Sequence, residues 1–190
     1  VCTFTNTPRT ATLLCDSNHF YSVAANGNLI QADAVTGATT TLYAGTSSIS
    51  GVNALGIAAN GSAAYGLIRT SDTTDVSGIF KYSPASGASV LNGTAFQTRD
   101  GSGTEIAGSL VAGAVDLSSG RYVFGKYNGS RFYVWSYTES SNSFAYLGYI
   151  ATGTAPVGNG DMAFDANGNL DVVGSQSGAS GNQVAIFSVT

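Results

Sequence analysis

Charged side chains are scarce in this chain. Only 9% of its 190 residues are Asp, Glu, Lys or Arg, against about 25% in an ordinary soluble domain. The net charge is −4, and the seven basic residues stand singly along the sequence, at Arg9, Arg69, Lys81, Arg99, Arg121, Lys126 and Arg131. Because nucleic-acid binding needs clustered Lys and Arg to neutralise phosphates, this distribution argues against a nucleic-acid partner.

Long apolar runs and histidines are also scarce. No apolar stretch approaches the ~20 residues that a helix needs to cross a bilayer, so we expect no membrane insertion. His19 is the only histidine, and it follows Cys15 and Asp16 in an apparent turn. A Ser-His-Asp or Cys-His site would have to use it, which disfavours nucleophilic catalysis of that kind. A histidine-rich zinc site is excluded by the same count.

The chain has two cysteines, Cys2 and Cys15. In a sequence that is poor in Lys and Glu and rich in Ser and Thr, as secreted proteins are, a disulfide that closes a small loop is the natural prediction. Two separate buried thiols, or a bond to another chain, are the alternatives. The chain begins Val1-Cys2 without Met or a leader pattern, so we expect a processed or excised polypeptide.

Three stretches of the sequence repeat one pattern. They begin at Asn53, Val111 and Asp161, and each consists of a short apolar strand, a turn and a second apolar strand. The turns end at Gly61, Gly120 and Gly168, and a second glycine follows at 66, 125 and 174. Self-similarity on this scale indicates a solenoid, a propeller or an array.

The strand pattern is all-β. Runs such as 20–23, 122–124, 132–137 and 184–189 are rich in aromatic and β-branched residues and have strand length. Asn-Gly pairs, which favour tight hairpin turns, punctuate these runs at Asn26, Asn60, Asn92, Asn128, Asn159 and Asn167. No segment has the 3.6-residue periodicity of a helix.

These strands predict a single domain, 1–190, with the fold of a four-bladed β-propeller of antiparallel four-stranded meanders. The predicted blades are 10–48, 49–98, 106–152 and 158–190, the first of which begins with a strand at 10–14. The last blade lacks one strand, and residues 1–9 supply a candidate to complete it. A β-sandwich is the alternative, but it does not require the repeated pattern.

The N-terminal segment alternates apolar and polar residues, as an edge strand does. The residues predicted to take part in strand exchange are Val1, Cys2, Thr3, Phe4, Thr5 and Asn6 on one strand and Ala185 and Phe187 on the other. Pairing within one chain would close a ring, whereas pairing with a neighbour would be donor-strand addition and would build a fibre. The expected partners are therefore further copies of the chain or neighbouring domains of a longer surface protein.

One resemblance to known proteins supports an exported module. The segment Cys2-Thr-Phe-Thr-Asn-Thr-Pro resembles the closing strand of prealbumin-like (Cna-B-like) repeats in surface proteins of actinobacteria and related bacteria. The remainder, with Phe20-Tyr-Ser and Gly27-Asn-Leu-Ile-Gln-Ala-Asp-Ala-Val-Thr-Gly, is similar to the propeller-like repeat domain that follows those modules. The resemblance implies a non-catalytic surface module. Since the matching family cysteine usually has an upstream partner, it also favours Cys15 as the partner of Cys2, or a chain cut from a larger protein.

Carboxylates offer two weaker candidate sites. Asp161 and Glu105 lie at or just before strand starts, where the first strands of propeller blades line the central channel, so a glycosidase-like pair is conceivable. The positions equivalent to Asp161 are Asn53 and Val111, which favours a hydrogen-bonded turn residue instead. The segment 165–171 spaces its oxygen side chains like a calcium loop, but it lacks the later Glu, so a hairpin turn is favoured. We predict no catalytic residue, no metal and no cofactor.

Aromatic residues provide the other candidate site. In the run 132–137, alternation places Tyr133, Trp135 and Tyr137 on one face of a strand. If that face packs against the adjacent blade it is structural, and if it is exposed it forms a platform for a glycan. The sequence therefore predicts a secreted or surface-displayed structural or adhesive protein without enzyme activity. A carbohydrate-binding propeller is the alternative.

Overall fold

A computed structural model describes residues 12–24, 26–46, 51–91, 95–153, 157–178 and 181–189 of the chain. Within these ranges the chain forms fourteen strands and one short 3-10 helix, Ala59–Gly61, so the all-β prediction is confirmed. Within the same ranges, helical structure is too short to span a bilayer.

The strands form four antiparallel sheets. Sheet 1 contains β1 (His19–Val23), β2 (Leu29–Asp33) and β3 (Thr39–Tyr43), and sheet 2 contains β4 (Val52–Ile57), β5 (Ala64–Arg69), β6 (Val76–Ser83) and β7 (Gly87–Leu91). Sheet 3 contains β8 (Leu110–Val115), β9 (Tyr122–Asn128), β10 (Arg131–Thr138) and β11 (Ser143–Ala151). Sheet 4 contains β12 (Val157–Phe164), β13 (Leu170–Gly178) and β14 (Gly181–Val189). In every sheet the strands pair in chain order, as in a meander.

One predicted strand differs from the structure. The segment 10–14 was expected to open the first blade, but its described part, 12–14, is not a strand. Leu13 is buried, and its N–H donates to the carbonyl of Gly61 at 2.7 Å. The segment therefore docks on the turn between β4 and β5, and this contact takes the place of pairing along a sheet edge.

The hairpins that join the first two strands of sheets 3 and 4 are built on aspartates. The Asp116 carboxylate accepts N–H groups from Ser118 and Ser119, which mimics a backbone turn. Burial alone would raise the pKa of Asp116, but hydrogen bonds from these two serines lower it to about 2. Gly120 closes this turn with a φ of 71°, a left-handed conformation that glycine adopts without strain.

The sheets contact one another through their first strands. β4 lies beside β8 and β8 beside β12, while β1 contacts β4. Glycines permit this close approach: a Cβ added to Gly56 would lie 2.9 Å from the backbone of Ala114, and one added to Gly113 would lie 2.5 Å from the Ala54 carbonyl oxygen. Any side chain at either position would force β4 and β8 apart.

Aromatic side chains fill the space between sheets 2 and 3. Trp135 is fully buried, stacks against Phe124 at a centroid distance of 6.2 Å, and donates its indole N–H to the carbonyl of Arg99 at 2.8 Å. Phe96 and Phe144 stack at 4.2 Å at the edge of the same layer. Because buried Trp needs a partner for its N–H, this bond fixes the position of Trp135 as well as satisfying it.

An ion pair and a hydrogen bond to one carboxylate also join sheets 2 and 3. Lys81 of β6 forms an ion pair of 2.6 Å with Glu139, which follows β10, and the Tyr65 hydroxyl donates to the same carboxylate. The Lys81 ammonium also lies 5.6 Å from the centre of the Tyr65 ring. Burial raises the pKa of Glu139, but the hydrogen bonds from Lys81 and Tyr65 outweigh it, so the pKa is lowered overall.

Replacement of Trp135 by Ala is expected to destabilise the fold by about 3–5 kcal/mol, because it removes a large buried side chain and leaves a cavity between sheets 2 and 3. Urea denaturation followed by fluorescence or circular dichroism measures this change. The matched control is Leu117→Ala, at an exposed position, for which we expect a change within about 0.5 kcal/mol. Equal stabilities for the two variants would contradict the assignment of Trp135 to the core.

Candidate functional site

A cavity of about 270 Å³ lies where strands from all four sheets meet. Its wall is formed by β1, β4, β8 and β12, and the residues that line it include Ser22, Val23, Asn53, Val111 and Asp161. We call this space the axial cavity.

The sequence repeat and the axial cavity are connected. Asn53, Val111 and Asp161 occupy the same position in the three repeats, and the structure brings all three to the cavity wall. Repeated strands that stack side by side place equivalent residues around one space. The cavity is thus lined by one amide, one apolar side chain and one carboxylate at corresponding positions.

Each of the three strands that carry these residues is bulged beside the cavity. The pairing register shifts between Asn53 and Gly56 in β4, between Leu110 and Ala112 in β8, and between Gly158 and Gly160 in β12. Ala54 has a φ of 61°, a left-handed conformation that is uncommon for a residue with a side chain. Bulges bend strands and redirect side chains, and they are common next to binding sites.

Asp161 is the charged group of the axial cavity. Its Oδ1 accepts the N–H of Met162 at 2.8 Å, and the N–H of Gly113 also hydrogen-bonds its carboxylate. Solvent reaches the side chain, but the surrounding walls remove part of its hydration. This burial raises the pKa of Asp161 despite the two backbone hydrogen bonds, which act in the opposite direction.

Glu105, the other carboxylate of the hypothetical glycosidase-like pair, is not in the axial cavity. It lies in a surface loop, where its Oε2 is 3.8 Å from Arg99 and both side chains are about half exposed. The structure therefore does not bring Glu105 and Asp161 together. The general acid and the second carboxylate of such a site need to flank one bond, so this pair does not form a hydrolase centre.

The aromatic face of β10 is buried, which corrects the idea that it is a surface platform. Tyr133, Trp135 and Tyr137 are 7%, 0% and 2% exposed. They lie on the face of sheet 3 that packs against sheet 2, together with Phe124 and Phe144. Alternation along β10 identified the face, but only the neighbouring sheet determines that it is covered.

A second concave surface lies between sheets 3 and 4. This intersheet groove has a volume of about 350 Å³ and includes Leu147 and Tyr149 of β11 and Val189 of β14. Tyr149 is 49% exposed, and the Arg131 guanidinium lies 4.1 Å from its ring centre. Sequence reasoning did not single out Tyr149, since its alternation with Leu147 on the exposed face of an outer strand resembles ordinary strand patterning.

The remaining predicted residues do not form a site. The His19 ring bonds Asp16 at 2.7 Å, and this hydrogen bond lowers the pKa of the Asp16 carboxyl. Cys15 is exposed with a free thiol. Cys2 lies outside the described residues, so the structure gives no support to a Cys2–Cys15 disulfide, which stays a prediction.

The calcium-like segment forms a hairpin turn. Asp165 accepts the N–H groups of Asn167 and Asn169, both at 2.8 Å, in the turn between β12 and β13. Its carboxylate is therefore used within the turn. In the described parts of the chain, no three His, Cys, Asp or Glu side chains converge in a way that could hold a metal ion.

The last strand leaves an edge for further pairing. Among the described strands, β14 pairs with β13 alone, so it forms the outer edge of a three-stranded sheet. Ala185 and Phe187 are partly buried, whereas Val184 and Ile186 on the opposite face are 75% and 67% exposed. The predicted donor segment, Val1 to Asn6, lies outside the described residues.

Known protein families and curated proteins contain no match to this sequence. Solved structures that resemble it include an auxiliary nutrient binding protein from Bacteroides thetaiotaomicron, at a TM-score of 0.52 and 12% identity over 91% of this chain and 39% of that chain. A chain of the nidogen/laminin complex is similar with a TM-score of 0.54 and 13% identity, over 90% of this chain and 61% of that chain. Both have propeller-like folds, so the all-β fold described above is propeller-like. The chain spans less than two thirds of the length of either structure.

Replacing Asp161 with Asn should raise the free energy of unfolding at pH 7. A carboxyl whose pKa is raised in the folded state binds its proton more tightly there, so its charged form lowers stability, and this penalty disappears as the pH falls through the raised pKa. Urea denaturation at several pH values measures the difference between variant and wild type, which should shrink below the raised pKa.

Asp116 is the control with the opposite sign. Its pKa falls from 3.8 to about 2 on folding, so its charge contributes stability above pH 3.8 that is lost as the pH falls towards 2. Asp116→Asn should therefore lower stability at pH 7 by about 1 kcal/mol, with little effect near pH 2. A carbon-13 NMR titration in which Asp161 and Asp116 titrate together would refute both assignments.

Proposed function

We propose that this protein is a non-catalytic extracellular module with a structural or adhesive role, whose last sheet is completed by the strand Val1 to Asn6. The added strand comes either from the same chain, which gives a closed four-bladed propeller, or from a neighbouring copy, which gives a fibre. The observation that carries this proposal is the open outer edge of β14 in a three-stranded sheet.

The physical chemistry of β14 supports the proposal. Sheets 2 and 3 each have four strands, and their outer strands, β7 and β11, complete the meander. An edge strand with exposed apolar side chains is prone to uncontrolled pairing unless another strand covers it. Val184 and Ile186 combine both features on β14, and a fourth strand would satisfy the backbone groups along its free edge.

The intersheet groove supports the same proposal from the neighbouring side. The groove is lined by Val189 of β14 and by Leu147 and Tyr149 of β11, and a fourth strand of sheet 4 would border this region. In an added extended strand, period-2 alternation would place Cys2 and Phe4 on one face and Thr3 and Thr5 on the other. Phe4 supplies the apolar volume that a groove of about 350 Å³ can accept.

The test uses the full chain and the variant Phe4→Lys. Hydrogen exchange of the β14 amides, measured by mass spectrometry, should be slow in the wild type and at least about tenfold faster in the variant, because a charged side chain disfavours docking in an apolar groove. Val35→Lys is the matched control, since Val35 is as exposed as Val184, at 75%, but lies in the turn between β2 and β3.

Light scattering on the same samples distinguishes the two modes of completion. A wild-type mass that is independent of concentration indicates a closed ring, and a mass that grows with concentration and falls in Phe4→Lys indicates donor-strand addition. If the β14 amides exchange at the same rate in wild type and Phe4→Lys, the N-terminal strand does not cover this edge and the proposal fails.

Carbohydrate binding remains the second candidate, and the exposed ring of Tyr149 in the intersheet groove favours it over the buried aromatics of β10. Aromatic faces stack on sugars, so Tyr149→Ala should abolish any signal on a glycan array while leaving the fold intact. Trp135→Ala is unsuitable for this test because its burial makes loss of folding the expected result. A wild-type protein without signal on the array removes the candidate.

A further inference from the structure

The axial cavity is not used by the proposed strand addition. That process takes place at β14, the outer edge of sheet 4, whereas the cavity lies at β12, the opposite edge of the same sheet. Its volume of about 270 Å³ corresponds to roughly nine water molecules at about 30 Å³ each. The space therefore accommodates a small molecule with a few waters.

The charge of Asp161 has no cationic partner in the described parts of the chain. The basic side chains there have contacts elsewhere: Arg69 with the Leu110 carbonyl, Lys81 with Glu139, Arg99 with Glu105, Arg121 with Asp116, Lys126 with the Thr74 carbonyl and Arg131 with the Tyr149 ring. Asp161 is thus a partly desolvated anion without a counterion, an arrangement that costs free energy.

The neighbouring groups are acceptors with unused capacity. A carboxylate offers about four lone-pair positions, and the backbone N–H groups of Met162 and Gly113 occupy two of those on Asp161. Asn53 lines the same cavity, and the oxygen of its side-chain amide can accept a hydrogen bond. Val23 and Val111 provide apolar wall next to these polar groups.

We propose that the axial cavity binds a small organic ammonium ion. Its three N–H donors are shared between the Asp161 carboxylate and the Asn53 amide oxygen, and its short alkyl part lies against Val111 and Val23. A monovalent cation neutralises the single carboxylate and leaves no net charge in the cavity. Calcium needs six to eight oxygen ligands, usually including several carboxylates, and the cavity offers one.

The bulges contribute to this site by directing side chains. Without the register shift in β12, Asp161 would change its position relative to Val173, its partner on β13. The corresponding shift in β4 lies immediately after Asn53. A one-residue slip reverses the face to which a side chain points, so loss of either bulge would change the face on which Asn53 or Asp161 lies.

Two-dimensional NMR of the full chain, titrated with n-propylammonium chloride, tests the proposal. We expect saturable shifts at the amides of Asn53, Val111 and Asp161, with a dissociation constant of about 1 mM, as befits a ligand of four heavy atoms. n-Propanol, of equal size and without charge, should produce no saturable shift. Calcium chloride at the same ionic strength should not compete.

Three variants examine the role of the charge. Asp161→Asn should raise the dissociation constant at least about tenfold, since a hydrogen bond to a charged group is lost. Asp171→Asn, a carboxylate on the adjacent strand that bonds Ser188 outside the cavity, should leave it unchanged. Asn53→Asp combined with Asp161→Asn moves the carboxylate across the cavity and should restore binding to within about threefold.

The outcomes that overturn the proposal are specific. Equal affinity of wild type and Asp161→Asn shows that the carboxylate does not recognise the ligand. Calcium that binds where propylammonium does not identifies a metal site instead. Absence of any saturable shift with 50 mM or so of propylammonium, a concentration about fifty times the expected dissociation constant, shows that the cavity has no such ligand. None of these results bears on the pairing of β14, so the two proposals fail independently.

Discussion

The structure depends on close packing between β4 and β8, which only glycine permits. Gly56 and Gly113 lie where the two backbones approach most closely, and a side chain at either would meet backbone atoms within 3 Å. That contact sets the distance between sheets 2 and 3, and the aromatic layer around Trp135 fills the wider space outside it. In a chain with so few charges, burial of apolar side chains supplies most of the stabilisation. Small residues pack at the contact between β4 and β8, and large aromatic residues pack farther from it.

The same geometry makes the inner and outer edges of the sheets different. At the inner edge, β4, β8 and β12 lie side by side, so their ends surround one cavity. At the outer edge the sheets diverge, and aromatic rings or polar links such as Lys81 with Glu139 span the gap between sheets 2 and 3. Between sheets 3 and 4 the corresponding region is a groove. The outer edge of sheet 4, at β14, borders this groove, whereas the inner cavity is lined by β12 at the opposite edge of the sheet.

The local sequence pattern predicted where most strands lie, but it did not predict which faces of the strands other parts of the chain cover. The aromatic run 132–137 lies within β10, Arg131–Thr138, because aromatic alternation and an Asn-Gly turn act within a few residues. The strand expected at 10–14 was wrong in its described part, since Leu13 docks on a turn far along the chain. Burial of Trp135 depends on residues distant in sequence, such as Arg99, whose carbonyl accepts the indole N–H from 36 positions away, so alternation identified its face but not what covers it. The repeated sequence pattern does not predict the bulges in β4, β8 and β12.

Two charged residues, Lys126 in the core and Asp161 in the solvent-accessible axial cavity, show how this fold treats charge. Lys126 is fully buried, and its ammonium donates to the Thr74 carbonyl at 2.7 Å. Burial lowers its pKa overall, although the nearby carboxylates of Asp75 and Glu105 act in the opposite direction. The protein thus provides its buried cation with partners. Asp161 receives two backbone N–H groups but no cation, and its pKa is raised. A carboxylate without a cationic partner lowers the stability of the folded chain, and the single substitution Asp161→Asn is expected to remove that cost. A bound cation gives the simplest physical reason why an aspartate occupies position 161.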